Sequence, residues 1–168
     1  MNLSFEVPTP IAYFASLVQS DANFPLLEAA ISLAQDEYPD LDVQQVLADV
    51  DRLLARLERR IPEGADGLSR LALLTQFFYG DLGFSGNANN FYAPENSYLN
   101  EVFRTRRGIP ISIAVIWLEL ARGLGLQADG VSFPGHFLVK VTLEDGLVVL
   151  DPQGQPIAKR FASFDHFA

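Results

Sequence analysis

His136 is the histidine whose surroundings best suit chemistry. It follows Pro134-Gly135 and opens the alternating stretch HFLVKVTL, while Asp151 closes the next apolar run, LVVLD. A turn at Glu144-Asp145-Gly146 would fold the two runs together as a hairpin and carry Asp151 back toward the His136 end. Opposed positions summing to about 290 pair 139 with 151 and 136 with 154, so a bulge or twist must close the remaining gap. An aspartate accepting from one ring nitrogen would fix the imidazole tautomer and raise the basicity of the other nitrogen. The plainer reading is a structural His–Asp hydrogen bond at a strand end. The second histidine, His166, stands beside Asp165 near the chain end and reads as a solvated residue.

A nucleophile is harder to find. Ser112 lies in GIPIS, at the first turn of a predicted helix, where free amides and the helix dipole favour developing negative charge. With His136 as base and Asp151 as orienting group it could attack a carbonyl. A serine at that position more often satisfies backbone groups, and GIPIS is not a GxSxG elbow. Arg104, Arg106 and Arg107 form a basic cluster just before this helix, with Glu101 near enough for ion pairing. Its sharper reading is an anion subsite beside His136. Asn89, Asn90, Asn96 and Asn100 suit turn capping or ligand contact. Tyr92, Asn96, Arg107 and Trp117 are the candidate binding residues.

Composition narrows the chemistry further. The 168 residues carry 12 Lys and Arg against 21 Asp and Glu, a net charge of −9, which disfavours a nucleic-acid backbone or an anionic membrane as partner. Cysteine is absent, so disulfides, thiolate catalysis and cysteine metal sites are excluded. No P-loop, dinucleotide fingerprint, EF-hand or HExxH occurs, and neither a metal nor a cofactor is expected. The N-terminal stretch lacks a basic opening and a small-residue cleavage site, and no run approaches ~18 apolar residues. The expectation is a cytoplasmic protein.

The elements that must position these residues change character along the chain. Thr9-Pro10 reads as a cap and first residue of a helix, with Ile11, Phe14, Ala15 and Val18 on its apolar face. A second helix follows Phe24-Pro25, and a third, capped by Asp40 or Asp42, carries Val43, Val46, Leu47, Val50, Leu53, Leu54 and Leu57 at helical spacing. A fourth spans about 67–79. Residues 80–97 read as a long ordered loop, rich in glycine and asparagine and pinned by Phe84, Phe91 and Tyr92. A short helix at about 98–105 precedes the helix opened by Pro110, whose Ile113, Ile116, Trp117, Leu120 and Leu124 mark it as central. Strands follow at 128–133, 136–143 and 147–150, with a further short edge strand from Ile157. Helices followed by an antiparallel sheet predict an α+β fold.

The stretch NSYLNEVFRTRRGIPISIAVIWLELARGLGLQADGVSFPGHFLVKV, with LVVLDPQG after it, resembles bacterial proteins of the SirB type with a transglutaminase-like domain. The helical part SLAQDEYPDLDVQQVLADVDRL resembles the same family. The resemblance implies a helical lobe over residues 1–80 packed on a transglutaminase-like core over 81–168. It also implies a further helical region beyond the end of this chain. It further implies a cysteine at the start of the central helix, then histidine and aspartate on successive strands. His136 and Asp151 match the latter two. The cysteine position falls at Pro110, or as far along as Ser112, and neither is cysteine. Two functions remain open: a catalytically silent module whose pocket holds a protein or peptide partner, or a hydrolase or amidase using Ser112, His136 and Asp151. The oligomeric state is left open.

Overall fold

The computed structural model describes residues 7–20, 24–87, 92–153 and 159–161. Helix α1 (Pro10–Leu17) starts where proline supplies a helical φ, and the Thr9 hydroxyl accepts from the Ala12 amide at 3.2 Å. Its expected buried face is not buried. Ile11 is 72% exposed, because α1 rests mainly on α2 (Leu26–Leu33) and covers it from one side. The Tyr13 hydroxyl donates to the Glu28 carboxylate and ties the two helices together. Helix α3 (Val43–Glu58) is capped by Asp42, whose carboxylate accepts from the Gln45 amide at 3.1 Å, so Asp40 is not the cap. Its predicted stripe faces inward, with Val43, Val50, Leu53 and Leu57 buried and Val46, Leu47 and Leu54 packed at the margin.

Helix α4 (Gly67–Thr75) opens on Asp66, which accepts from the Ser69 amide at 2.8 Å. The helix ends earlier than its apolar pattern suggests, because residues Gln76–Asp81 widen into a π-helical turn. That turn turns Phe77 and Phe78 inward together, and Phe78 stacks on Phe84 with ring centroids 4.3 Å apart. The segment read as one long loop is subdivided. It holds strand β1 (Ser85–Gly86) and a 3-10 turn at Pro94–Asn96, elements too short to impose a sequence period. Helix α5 (Leu99–Thr105) follows and ends on Arg106 in a left-handed conformation, φ 61°. Strand β2 (Arg107–Gly108) then pairs in parallel with β1.

Helix α6 (Pro110–Gly123) runs through the centre. Ile113, Ile116, Trp117 and Leu120 are fully buried, each aliphatic side chain contributing about 1.5–3 kcal/mol. Around it pack α2, α3, α4 and α5 on one side and the sheet on the other. The sheet joins β3 (Gln127–Phe133), β4 (His136–Leu143), β5 (Gly146–Leu150) and β6 (Lys159–Phe161), antiparallel and in chain order. Only two residues, Pro134 and Gly135, separate β3 from β4, and Gly135 takes the φ of +76° that this tight turn needs. One continuous apolar cluster runs from Leu27 on α2 to Val148 on β5. The fold is α+β, with an N-terminal helical region and a small sheet packed against helices. No helix among the described residues is long and apolar enough to cross a membrane.

Candidate functional site

A cleft of about 350 Å³ opens where α6 begins and the sheet ends. Pro110 and Ile111 line it from the helix, Ser132, Gly135, His136, Phe137 and Leu138 from the β3–β4 hairpin, and Asp151 and Gln153 from the chain leaving β5. The β4–β5 register pairs Val139 with Leu150, one residue short of the expected 139–151 pairing. Continued one step, it sets Asp151 opposite Leu138, and residues 136 and 138 share a side of the strand. His136 and Asp151 are thus diagonal neighbours, a relation that typically separates Cα atoms by about 7–8 Å. Among the described residues no hydrogen bond joins the two side chains; the Asp151 carboxylate instead accepts the Gln153 amide at 2.8 Å. This short turn fixes the carboxylate relative to its own backbone. His166 lies outside the described residues, and among those described no cluster of His, Asp and Glu gathers that could hold a metal ion.

Two residues that sequence reasoning did not single out support this corner. The Tyr79 hydroxyl donates to the Pro152 carbonyl at 2.7 Å, anchoring the segment that carries Asp151 to the π-helical turn. Burial, and secondarily the negative charge of Asp151, push the Tyr79 phenol above its ordinary pKa, so it stays a donor. Gln153 lies against β1, where a Cβ on Gly86 would stand 2.9 Å from its Nε2. The sequence signal for Gln153 was its place in LDPQG, two residues after Asp151. Tyr79 had none, because its partner lies 73 residues away.

Ser112 is not among the residues lining this cleft. It is buried, and its hydroxyl donates to the Asn96 carbonyl at 2.7 Å and the Ile109 carbonyl at 3.0 Å. Gly108 makes the fit possible, since a Cβ there would stand 2.6 Å from the Ser112 Oγ. The helix end thus presents a proline ring and an isoleucine to His136, and Pro110 also removes one backbone donor. What the cleft offers is an imidazole, a carboxylate, a carboxamide, the Ser132 hydroxyl and apolar walls; the Ser112 hydroxyl is not among them.

The other candidate binding residues are dispersed. Trp117 is wholly buried in the core, with its indole N–H unpartnered. Asn96 is buried and accepts at Oδ1 from the Asn87 side-chain Nδ2 at 3.1 Å, while its backbone carbonyl takes the Ser112 hydroxyl. Tyr92 is 92% exposed. Asn89 and Asn90 lie outside the described residues. The arginine cluster forms no subsite beside His136. Arg104 pairs with Glu101 at 2.6 Å, Arg106 lies 4.8 Å over the rings of both Phe84 and Phe103, and Arg107 donates to the Gly83 carbonyl at 2.8 Å. Desolvation, and then repulsion from Arg56, lower the Arg106 pKa from its usual value.

A larger groove, about 780 Å³, lies between the start of α4 and the β4–β5 turn, lined in part by Leu68, Arg70, Leu126 and Leu143. It contains no histidine, and its only titratable groups are Asp66, Arg70, Glu144 and Asp145. Volume alone favours this groove; the convergence of His136, Asp151 and a helix start favours the smaller cleft as the site of function.

Comparison with known proteins converges on the same region. A family model described as the transglutaminase-like superfamily matches residues 44–160, which include the cleft and the helices from α3 onward but not α1 and α2. A UPF0162 protein of Xylella fastidiosa is 44% identical over 139 residues, covering 82% of this chain and 50% of its own length. A UPF0162 protein of Pasteurella multocida is 30% identical over 119 residues, 70% of this chain and 45% of its own length. The human F-box only protein 21 is 28% identical over 148 residues, 75% of this chain and 24% of its own length. The chain spans about half the length of the curated bacterial relatives it matches. No solved structure matches it.

Proposed function

The chain belongs to the transglutaminase-like superfamily, and on that premise we propose that it is a catalytically silent member, of the SirB type, whose His136–Asp151 cleft holds a protein or peptide partner. One observation carries the reading: where the superfamily resemblance calls for a thiolate at the helix start, the cleft is lined by Pro110 and Ile111. With no cysteine anywhere in the chain, thiol-dependent transglutaminase or protease activity has no nucleophile. The remaining lining suits binding. Ile111, Phe137 and Leu138 offer apolar contact, while His136, Asp151 and Gln153 supply polar groups that can orient a ligand. A net charge of −9 makes a nucleic-acid backbone a poor partner, and the same reading takes the protein as cytoplasmic.

The hydrolase reading, with Ser112 attacking, His136 as base and Asp151 orienting it, has less support. The Ser112 hydroxyl would have to leave two carbonyl acceptors and a buried position to reach the cleft. The test uses a photo-crosslinking residue at position 111, with position 11 on α1, which is more exposed still, as the control. In cells, position 111 should give a discrete protein adduct that His136→Ala diminishes, and position 11 should not. The same adducts at both positions, or indifference to His136→Ala, would remove the cleft from the proposed function.

A further inference from the structure

We propose that the open edge of β3 binds an extended, positively charged peptide segment as an added strand and leads it into the His136–Asp151 cleft. This names the partner chemistry of the cleft-binding reading and rests on it. Strand β3 ends the sheet order, and among the described residues no strand pairs with its outer side. The direction of its backbone groups follows from the turn beside it. Phe133 and His136 flank a two-residue loop, so that pair exchanges both backbone bonds and the pattern alternates from there. Val131, Asp129 and Gln127 accordingly direct their N–H and C=O groups at β4. Ala128, Gly130 and Ser132 direct theirs outward.

The Ala128 carbonyl bears this out, because Arg122 Nε reaches it from beyond the sheet at 3.1 Å. Gly130 and Ser132 have no such partner among the described residues, and both are exposed. Ser132 also lines the cleft. Two donors and two acceptors therefore stand at strand spacing along a line that ends at His136. The Phe137 ring lies against Gly130, where a Cβ would stand 2.6 Å from its tip, and so backs this stretch of the edge. An open edge of this kind accepts extended backbone, and its usual protections are weak here. QADGVSF contains no proline, and its one charge, Asp129, faces Arg122 at 3.5 Å. Charge complementarity then sets the partner's sign. Arg122 is already held by the Ala128 carbonyl and Asp129, the cleft adds Asp151, and the whole chain carries a charge of −9. A basic segment is steered to such a surface and an acidic one repelled.

The probe is a dye-labelled octapeptide repeating Lys-Val-Thr-Val, titrated by fluorescence anisotropy against the full chain. Saturable binding is expected, and at saturation the Gly130 and Ser132 amides should exchange hydrogen about tenfold more slowly. Ser132→Pro removes an outward N–H at an edge position where proline is tolerated, and should weaken binding about tenfold without altering the circular dichroism. If that variant fails to fold, the peptide N-methylated at alternate amides, in both phases, gives the same information, and at least one phase should lose binding. Replacing its lysines by glutamate should abolish binding. No saturable binding, unprotected Gly130 and Ser132 amides in the complex, full binding by both N-methylated peptides, or equal binding of the glutamate peptide would overturn the inference. The cleft reading is decided separately, by the crosslink at position 111 and its dependence on His136.

Discussion

The Tyr79 hydroxyl donates to the Pro152 carbonyl, so a residue of the helical region holds the chain immediately after Asp151. Replacing Tyr79 by Phe removes the donor and leaves a buried carbonyl unpaired. The expected cost is about 1–3 kcal/mol, measured by urea denaturation at pH 7. The pH dependence has a definite sign. Burial, then Asp151, raise the folded-state pKa of Tyr79 above its unfolded value near 10. Its contribution is therefore complete below about pH 10 and is lost as pH rises toward the folded value. Wild type should lose stability more steeply than Tyr79→Phe above about pH 10, narrowing the gap between them. A gap that stays constant to pH 11 would count against this account of Tyr79.

Ser112→Ala tests whether the serine is a fastener. Both of its acceptors keep another donor, since the Asn96 carbonyl also takes the Ile109 amide and the Ile109 carbonyl the Ile113 amide. Neither is orphaned, so the loss should be about 0.5–1.5 kcal/mol in urea denaturation. The crosslink at position 111 should be unchanged, and a fluorophosphonate probe should leave wild type unlabelled. Labelling that Ser112→Ala abolishes would revive the hydrolase reading.

Gly108→Ala probes the same fastening from the other side. The new methyl would stand 2.6 Å from the Ser112 Oγ and 2.9 Å from Val102 Cγ1, both in the buried interior. Overpacking of this kind costs about 1–3 kcal/mol. Combined with Ser112→Ala, the closest clash disappears while the Val102 contact stays. The double variant should therefore be more stable than the sum of the single effects, by about 0.5 kcal/mol or more. Strict additivity in denaturation midpoints would show that the two positions do not share strain.

What was legible in the sequence is what repeats or stands in a recognisable order. The α3 stripe and the alternation of β4 were readable because burial imposes a period over several turns or residues, and α6 because its apolar run is nearly continuous, as befits a helix buried all round. GIPIS, PGHF and LDP, in that order, marked the helix start and strand ends around the cleft. The π-helical turn, β1 and β2 were not legible, since elements of two to six residues leave no period. Ile11 shows the opposite failure: its spacing promised burial, but α1 has too little neighbouring surface to cover it. Which residue of GIPIS faces His136 depends on helix phase relative to the sheet, and that is set by long-range packing around Trp117 and Ile113.

Ile111→Cys asks whether the scaffold still activates a thiol when one is supplied. Ile11 is a matched control, because Thr9-Pro10-Ile11 and Ile109-Pro110-Ile111 both place an isoleucine directly after the first-position proline of a helix. Both introduced thiols feel a helix N-terminus, which lowers a thiol pKa; only the one at 111 also shares a cleft with His136. Alkylation by iodoacetamide at pH 6.5 should be about threefold to tenfold faster for Ile111→Cys than for Ile11→Cys, as a pKa difference of roughly one unit predicts. Adding His136→Ala should bring the two rates together, while Asp151→Asn should reduce the difference less. Pro110→Cys run in parallel identifies which of the two cleft positions stands nearer the imidazole. If the 111 and 11 thiols react at the same rate with His136 intact, the histidine is not poised over the helix start. The departure from the superfamily would then extend beyond the missing nucleophile to the geometry of the site.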